Sequence, residues 1–194
     1  MSHIIQTVQA HGKTIQISID EDPMHPRKEY DNLGTIAHWH RRYDLGEQIE
    51  PCTEAELREL VGEKILAVLP VYMYDHSGVT LSVAPFGCRF DSGQVGWIYC
   101  TESSAKAMGY EYRAPEVLTE SLKGEIQTYA AFLEGNVYCY QITGLDGETL
   151  GACGGFFDLD QCIDDATGEA LYCEDPAVLR VAEELESRAT YATI

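Results

Sequence analysis

The chain has 194 residues, with 32 Asp/Glu against 13 Lys/Arg and a formal charge of −19. Hydrophobic residues make up 45% and aromatics 10%, led by twelve Tyr, so this is not one of the aromatic-poor acidic chains that stay disordered. Bare nucleic acid and anionic lipid are excluded as partners, because phosphate contacts need Lys/Arg, and no run approaches the ~18 apolar residues that span a bilayer. A single soluble domain over residues 1–194, cytoplasmic and without a leader segment, is expected. The seven cysteines are odd in number and include no Cys-x-x-Cys pair, so a zinc ribbon has no support and buried reduced thiols explain them.

Along the chain, residues 13–19 alternate polar and apolar and predict a half-buried strand. Residues 22–51 hold three prolines, scattered charge and no sustained period, which predicts an ordered loop region with one short helical turn at 38–43. Thr53-Glu-Ala-Glu56 is a capping box, and a short helix should follow through Leu57, Leu60 and Val61 to Gly62. Strand signals at 65–74, 79–85 and 94–101 are separated by the turn sequences His76-Ser-Gly and Asp91-Ser-Gly. Connections that short suit an antiparallel meander, and Pro70 within the first strand predicts an edge, a bulge or a break.

A second short helix is expected over 101–109. Residues 115–133 then place Leu118, Leu122, Ile126, Tyr129 and Leu133 at steps of three and four, the stripe of a long helix. Two more strands, 136–143 and 149–157, flank the hairpin signal Leu145-Asp-Gly and are followed by an acidic loop. Asp175-Pro176 opens a terminal helix, with the acid as N-cap and Val178, Val181 or Ala182, Leu185 and Ala189 facing inward. The expected architecture is α+β: an antiparallel sheet of five or six strands with one long helix and shorter helices packed on one face.

The charge is uneven. Residues 101–194 hold eighteen acids and five bases, and residues 146–186 hold twelve acids and one base, Arg180. A field of one sign attracts cations or steers a basic partner. The expected partner-binding residues are therefore Asp146, Glu148, Asp158, Asp160, Asp164, Asp165, Glu169, Glu174, Asp175, Glu183, Glu184 and Glu186. Fixed on a hairpin and a helix, they can imitate the charge spacing of a nucleic-acid backbone.

Other motifs are set against plainer accounts. His38-Trp-His40 has metal-ligand chemistry if it lies on a strand, with Asp44 or His76 to complete a set, but Arg41-Arg42 opposes a dication beside it. Tyr74-Asp-His-Ser-Gly reads as a turn, since consecutive residues point different ways and a triad must converge in space. Cys88 could serve as a nucleophile with His76 as base if the two turns meet. Gly151-Ala-Cys-Gly-Gly lacks dinucleotide-binding spacing, and the calcium-loop likeness of residues 158–165 fails at Cys162 and Ile163. No catalytic residue, metal or cofactor is assigned. A small metal- or thiol-dependent hydrolase using His38, His40, His76 or Cys88 is the alternative, and a virion structural or assembly protein is a third.

Asp31-Asn-Leu-Gly-Thr, His38-Trp-His-Arg-Arg-Tyr, Tyr74-Asp-His-Ser-Gly, Asp91-Ser-Gly-Gln-Val-Gly-Trp and Gly154-Gly-Phe-Phe together resemble a set of acidic proteins of bacteriophages and mobile elements, over about residues 30–160. The resemblance implies a setting, not residue roles. Small acidic proteins of that origin are often similar to anti-restriction or anti-CRISPR inhibitors, some of which act as DNA mimics. Together with the acidic stretch it leads to the expectation of a non-enzymatic inhibitor that engages a basic, nucleic-acid-binding host defence protein, such as a restriction or CRISPR effector, in the bacterial cytoplasm.

Overall fold

A computed structural model describes residues 3–88 and 90–181. In chain order the elements are β1 (Ile4–Ala10), β2 (Lys13–Ile19), β3 (Thr35–His38), β4 (Glu47–Gln48), α1 (Glu54–Val61), β5 (Ile65–Asp75) and β6 (Val79–Ser82). There follow β7 (Ser92–Thr101), α2 (Glu102–Ala107), α3 (Pro115–Glu134), β8 (Tyr138–Thr143), β9 (Thr149–Phe156) and α4 (Leu159–Tyr172). The class is α+β as expected, but the strands form two sheets, ordered β1-β2-β8-β9 and β4-β3-β7-β5-β6, in place of one. The chain separates into two compact units: residues 1–23 with 135–194, and residues 24–134.

In the first unit, β2 and β8 pair antiparallel with Ile15 opposite Ile142 and Ile17 opposite Tyr140. Directly paired residues share a sheet face, and on this one α4 lays Cys162, Ala166 and Ala170, all fully buried. Their spacing of four makes a helical stripe, and their small side chains let the helix lie close on the sheet. The sequence predicts an acidic loop here; the structure corrects it to a 14-residue helix, N-capped by Asp158, which accepts from the Gln161 N–H at 2.8 Å. The opposite sheet face is uncharged and polar, with Thr7, Gln9, Thr14, Gln16, Gln141 and Thr143 aligned across the strands. β1, which has no counterpart among the expected strands, pairs with β2 as an outer strand. Residues 176–181 are helical from Pro176 on, as expected. Val178 and Val181 are about half exposed, however, and do not form an inner face; Ala182, Leu185 and Ala189 lie outside the described residues.

In the second unit, β7 pairs with β5 (Ile98 opposite Leu69) and β6 lies on the other side of β5, so the order is not that of a meander. Pro70 occupies the part of β5 where β6 does not reach, since β6 pairs only with Tyr72 to Asp75. A missing N–H is tolerated at such a local edge. The stripe Leu118, Leu122, Ile126 and Tyr129 of α3 packs on Val71, Met73, Ile98 and Cys100. Leu57 of α1 covers the opposite face against Ala37, Ile65 and Tyr99, so the helices lie on both faces and not on one. The expected helical turn at 38–43 is absent; β3 ends there and the chain bends. The preceding loop is ordered by a largely buried ion pair between Arg27 Nη1 and Glu125 Oε2 (2.6 Å), with Glu125 also accepting from the Leu33 N–H (2.7 Å). At Gly34 the chain passes so close beneath α3 that a Cβ would lie 2.5 Å from Leu122 Cδ2. Among the described residues no helix is long and apolar enough to cross a membrane.

Candidate functional site

The carboxylates of the first unit divide into those the fold uses and those it leaves to solvent. Asp175 belongs to the first kind: it is 7% exposed, Oδ2 accepts from the Leu145 N–H and Oδ1 from the Ala177 N–H, each at 2.9 Å. These bonds, the Leu145 one foremost, hold its carboxyl below the usual carboxylate range. It is therefore a structural N-cap that ties the β8–β9 turn to residues 176–181, not a surface group. Glu169 is half-buried and accepts from the Tyr140 hydroxyl. Burial, then that carboxylate, push the Tyr140 phenol well above its ordinary range. Asp146 pairs with Arg180 (Nη2 to Oδ2, 2.6 Å).

Glu148, Asp158, Asp160, Asp164, Asp165 and Glu174 are exposed and make no ion pair among the described residues. The only Lys/Arg of the unit among those residues are Lys13 and Arg180, and both are engaged internally: Lys13 is buried and its Nζ donates to the His11 carbonyl at 3.4 Å. Glu183, Glu184 and Glu186 lie outside the described residues. From Asp158 to Glu169, the cap and body of α4 carry five carboxylates and no cation. At 1.5 Å per residue the four exposed ones, Asp158 to Asp165, follow one another along the helix axis at about 3.5 Å on average, close to the ~3.4 Å per charge of a single DNA strand.

A second constellation lies in the other unit, in an open cleft of about 380 Å³ lined by His40, Arg42, Met73, Asp75, Phe90 and Asp91 among others. The pairing of β5 with β7 brings the two turns together, and the Asp75 N–H donates to the Asp91 carbonyl at 2.9 Å. Asp75 receives Arg42 and, at 3.5 Å, the Tyr43 hydroxyl. Asp91 Oδ2 receives both His76 Nδ1 (3.5 Å) and the Cys88 thiol (3.6 Å). His40 Nδ1 accepts from the Arg42 and Tyr43 N–H groups at 3.4 and 3.3 Å, and burial, with the Arg42 charge second, lowers its pKa.

His76 and Cys88 thus meet at Asp91, and His40 lines the same cleft as Asp91, whereas His38 is buried apart from them. It is 2% exposed, its Nε2 accepts from the Leu45 N–H (3.3 Å), and its Nδ1 is buried without a hydrogen-bond partner. A thiol nucleophile needs its base in contact; here Cys88 and His76 hold the same oxygen of Asp91 instead. Among the described residues no three His, Cys, Asp or Glu side chains are grouped to hold a metal. The sequence reading missed Asp75 and Asp91 as the hubs, because each gains its role only through strand pairing. No protein-family model, curated protein or solved structure matches the chain.

Proposed function

We propose that the protein is a non-enzymatic inhibitor that captures a basic, nucleic-acid-binding partner through the acidic face of its first unit, as anti-restriction and anti-CRISPR DNA mimics do. The observation that carries this reading is the run of charge on α4: four exposed carboxylates at the axial density of a DNA strand, with the unit's two described cations turned to internal partners. A groove of Lys/Arg built for phosphates attracts such a run at long range, and the attraction falls with ionic strength. The test is affinity capture from a bacterial host lysate at about 50 mM and about 0.5 M NaCl, with wild type and with Asp160, Asp164, Asp165 and Glu174 reversed to Lys. A basic DNA- or RNA-binding protein held only at low salt, lost in the reversed variant and displaced by duplex DNA, is the expected result. Capture indifferent to salt and to charge reversal would sink the proposal.

The cleft at Asp75 and Asp91 supports a second reading, a small hydrolase in which Asp91 orients His76 as a general base, because His76 and Cys88 converge on Asp91, which lines the cleft together with His40. Its test is hydrolysis of a panel of ester and phosphoester chromogens by wild type and His76→Ala. Turnover that survives the substitution, or none in either protein, removes it.

A further inference from the structure

We propose that the outer edge of the first unit's sheet is a homodimerisation site, in which β1 pairs antiparallel with β1 of a second copy about a two-fold axis at Val8. Among the described residues β1 has β2 as its one strand neighbour, so its other row of N–H and C=O groups is open to a further strand. Proteins usually blunt such edges with Lys, Pro, inward charges or shortness. The edges of the second unit follow that rule, since β4 and β6 have two and four residues. β1 does not: its seven residues, Ile-Ile-Gln-Thr-Val-Gln-Ala, contain neither charge nor proline, and Ile4 and Ile5 are 49% and 41% exposed. Its one irregularity falls between Ile4 and Gln6, leaving residues 6–10 in regular register.

Two observations make the occupant a second copy. The first is electrostatic. Two chains of −19 can meet only where no carboxylates are brought face to face, and β1 with the adjoining face of Thr7, Gln9, Thr14 and Gln16 carries none. The second is self-complementarity. Residues 6–10 reversed on themselves set Val8 against Val8, Thr7 against Gln9 and Gln6 against Ala10. Val8 lies on the α4 side and packs on that core, so the Val8 pair extends the apolar layer. Thr7 and Gln9 lie on the other face, where this sheet already joins strands by Gln–Thr bonds: Gln9 Nε2 to Thr14 Oγ1 (3.1 Å) and Gln141 Nε2 to Thr149 Oγ1 (2.5 Å). The dimer repeats that bond twice across its axis. Because the two copies repel at long range, salt strengthens this association, opposite in sign to its effect on a basic partner.

Sedimentation velocity from about 10 to 300 μM, at about 50 mM and about 0.5 M NaCl, tests it. A concentration-dependent dimer that tightens with salt is expected. The double variant Thr7→Lys, Gln9→Lys places Lys opposite Lys twice across the axis and should weaken the dimer tenfold or more, although it brings the net charge nearer zero. Thr7→Glu, Gln9→Glu should be monomeric alone and form a heterodimer with the Lys variant. A wild type that stays monomeric throughout, or a dimer untouched by the Lys pair, overturns the proposal. Both side chains are exposed, but should the variants not fold, hydrogen exchange of wild-type β1 amides decides: protection must rise with concentration, and constant protection overturns it.

Discussion

Replacing Asp164 and Asp165 with Lys separates a structural from a binding role for the α4 carboxylates. Asp160 and Asp164 stand four apart in the helix, as do Asp165 and Glu169, and the last turn contains no basic residue. Like charges at that spacing destabilise a helix by about 0.2–0.5 kcal/mol per pair, and opposite charges stabilise it by a similar amount. Each substitution therefore moves its pair by about 0.4–1 kcal/mol in the stabilising direction, and Lys adds a few tenths through better helix propensity. The double variant gains about 1–2 kcal/mol. In a unit of this size one kcal/mol corresponds to about 4–8 °C, so melting should rise by roughly 4–16 °C at low salt. The gain should shrink in about 1 M NaCl, where the Debye length is about 3 Å. Circular-dichroism melts at two ionic strengths measure this, alongside capture of the basic partner, which the variant should lose. A lower melting temperature at low salt would show that these acids hold the helix in place, and would refute the view that they are kept at the expense of stability.

Glu125→Ala leaves the Arg27 guanidinium, 11% exposed, without its carboxylate and the Leu33 N–H without its acceptor, so about 3–5 kcal/mol of stability should be lost in urea unfolding. A loss under about 1 kcal/mol, the range of exposed ion pairs, would count against a buried pair. Burial pushes the Cys162 thiol up to about 12 and raises that of buried Cys100, whereas Cys153 is exposed. A thiol reagent at neutral pH should thus label Cys153 rapidly and the other two only after denaturation; equal rates would contradict the packing of α4. The depressed Asp175 carboxyl means that its contribution is complete above the unfolded carboxylate pKa of about 3.9 and is lost as pH falls toward the folded value. Wild type should therefore melt above Asp175→Asn near neutrality, with the gap closing below about pH 4; a gap independent of pH would show that the charge is not its source.

What was legible in the sequence was what local chemistry decides. The capping box at Thr53 and Glu56 needs only two side chains one turn apart, and both of its bonds are present. The α3 stripe and the β8–β9 hairpin were legible for the same reason. The division into two sheets was not, because it depends on β2 choosing β8, a partner more than a hundred residues away, and nothing local in Lys13 to Ile19 encodes that choice. α4 was hidden by its own composition: its buried stripe is Cys162, Ala166 and Ala170, and the Asp160, Asp164, Asp165 and Gly168 around them are poor helix formers. Asp175 was legible as an N-cap, but its bond to the Leu145 N–H, which buries it, comes from across a hairpin. The same holds for Asp75 and Asp91, made neighbours only by β5 and β7.

The pairing of β2 with β8 also bears on the order in which the chain folds. The Asp20 N–H donates to the Val137 carbonyl at 2.8 Å, yet the whole of residues 24–134 runs between these two strands. Closing so long a flexible loop costs about 4 kcal/mol by the logarithmic loop-closure law, before either strand gains a contact. A folded second unit stands in for that loop and removes much of the cost. The inserted unit should therefore fold early and largely by itself, and the acidic unit, assembled from the two ends of the chain, should complete late.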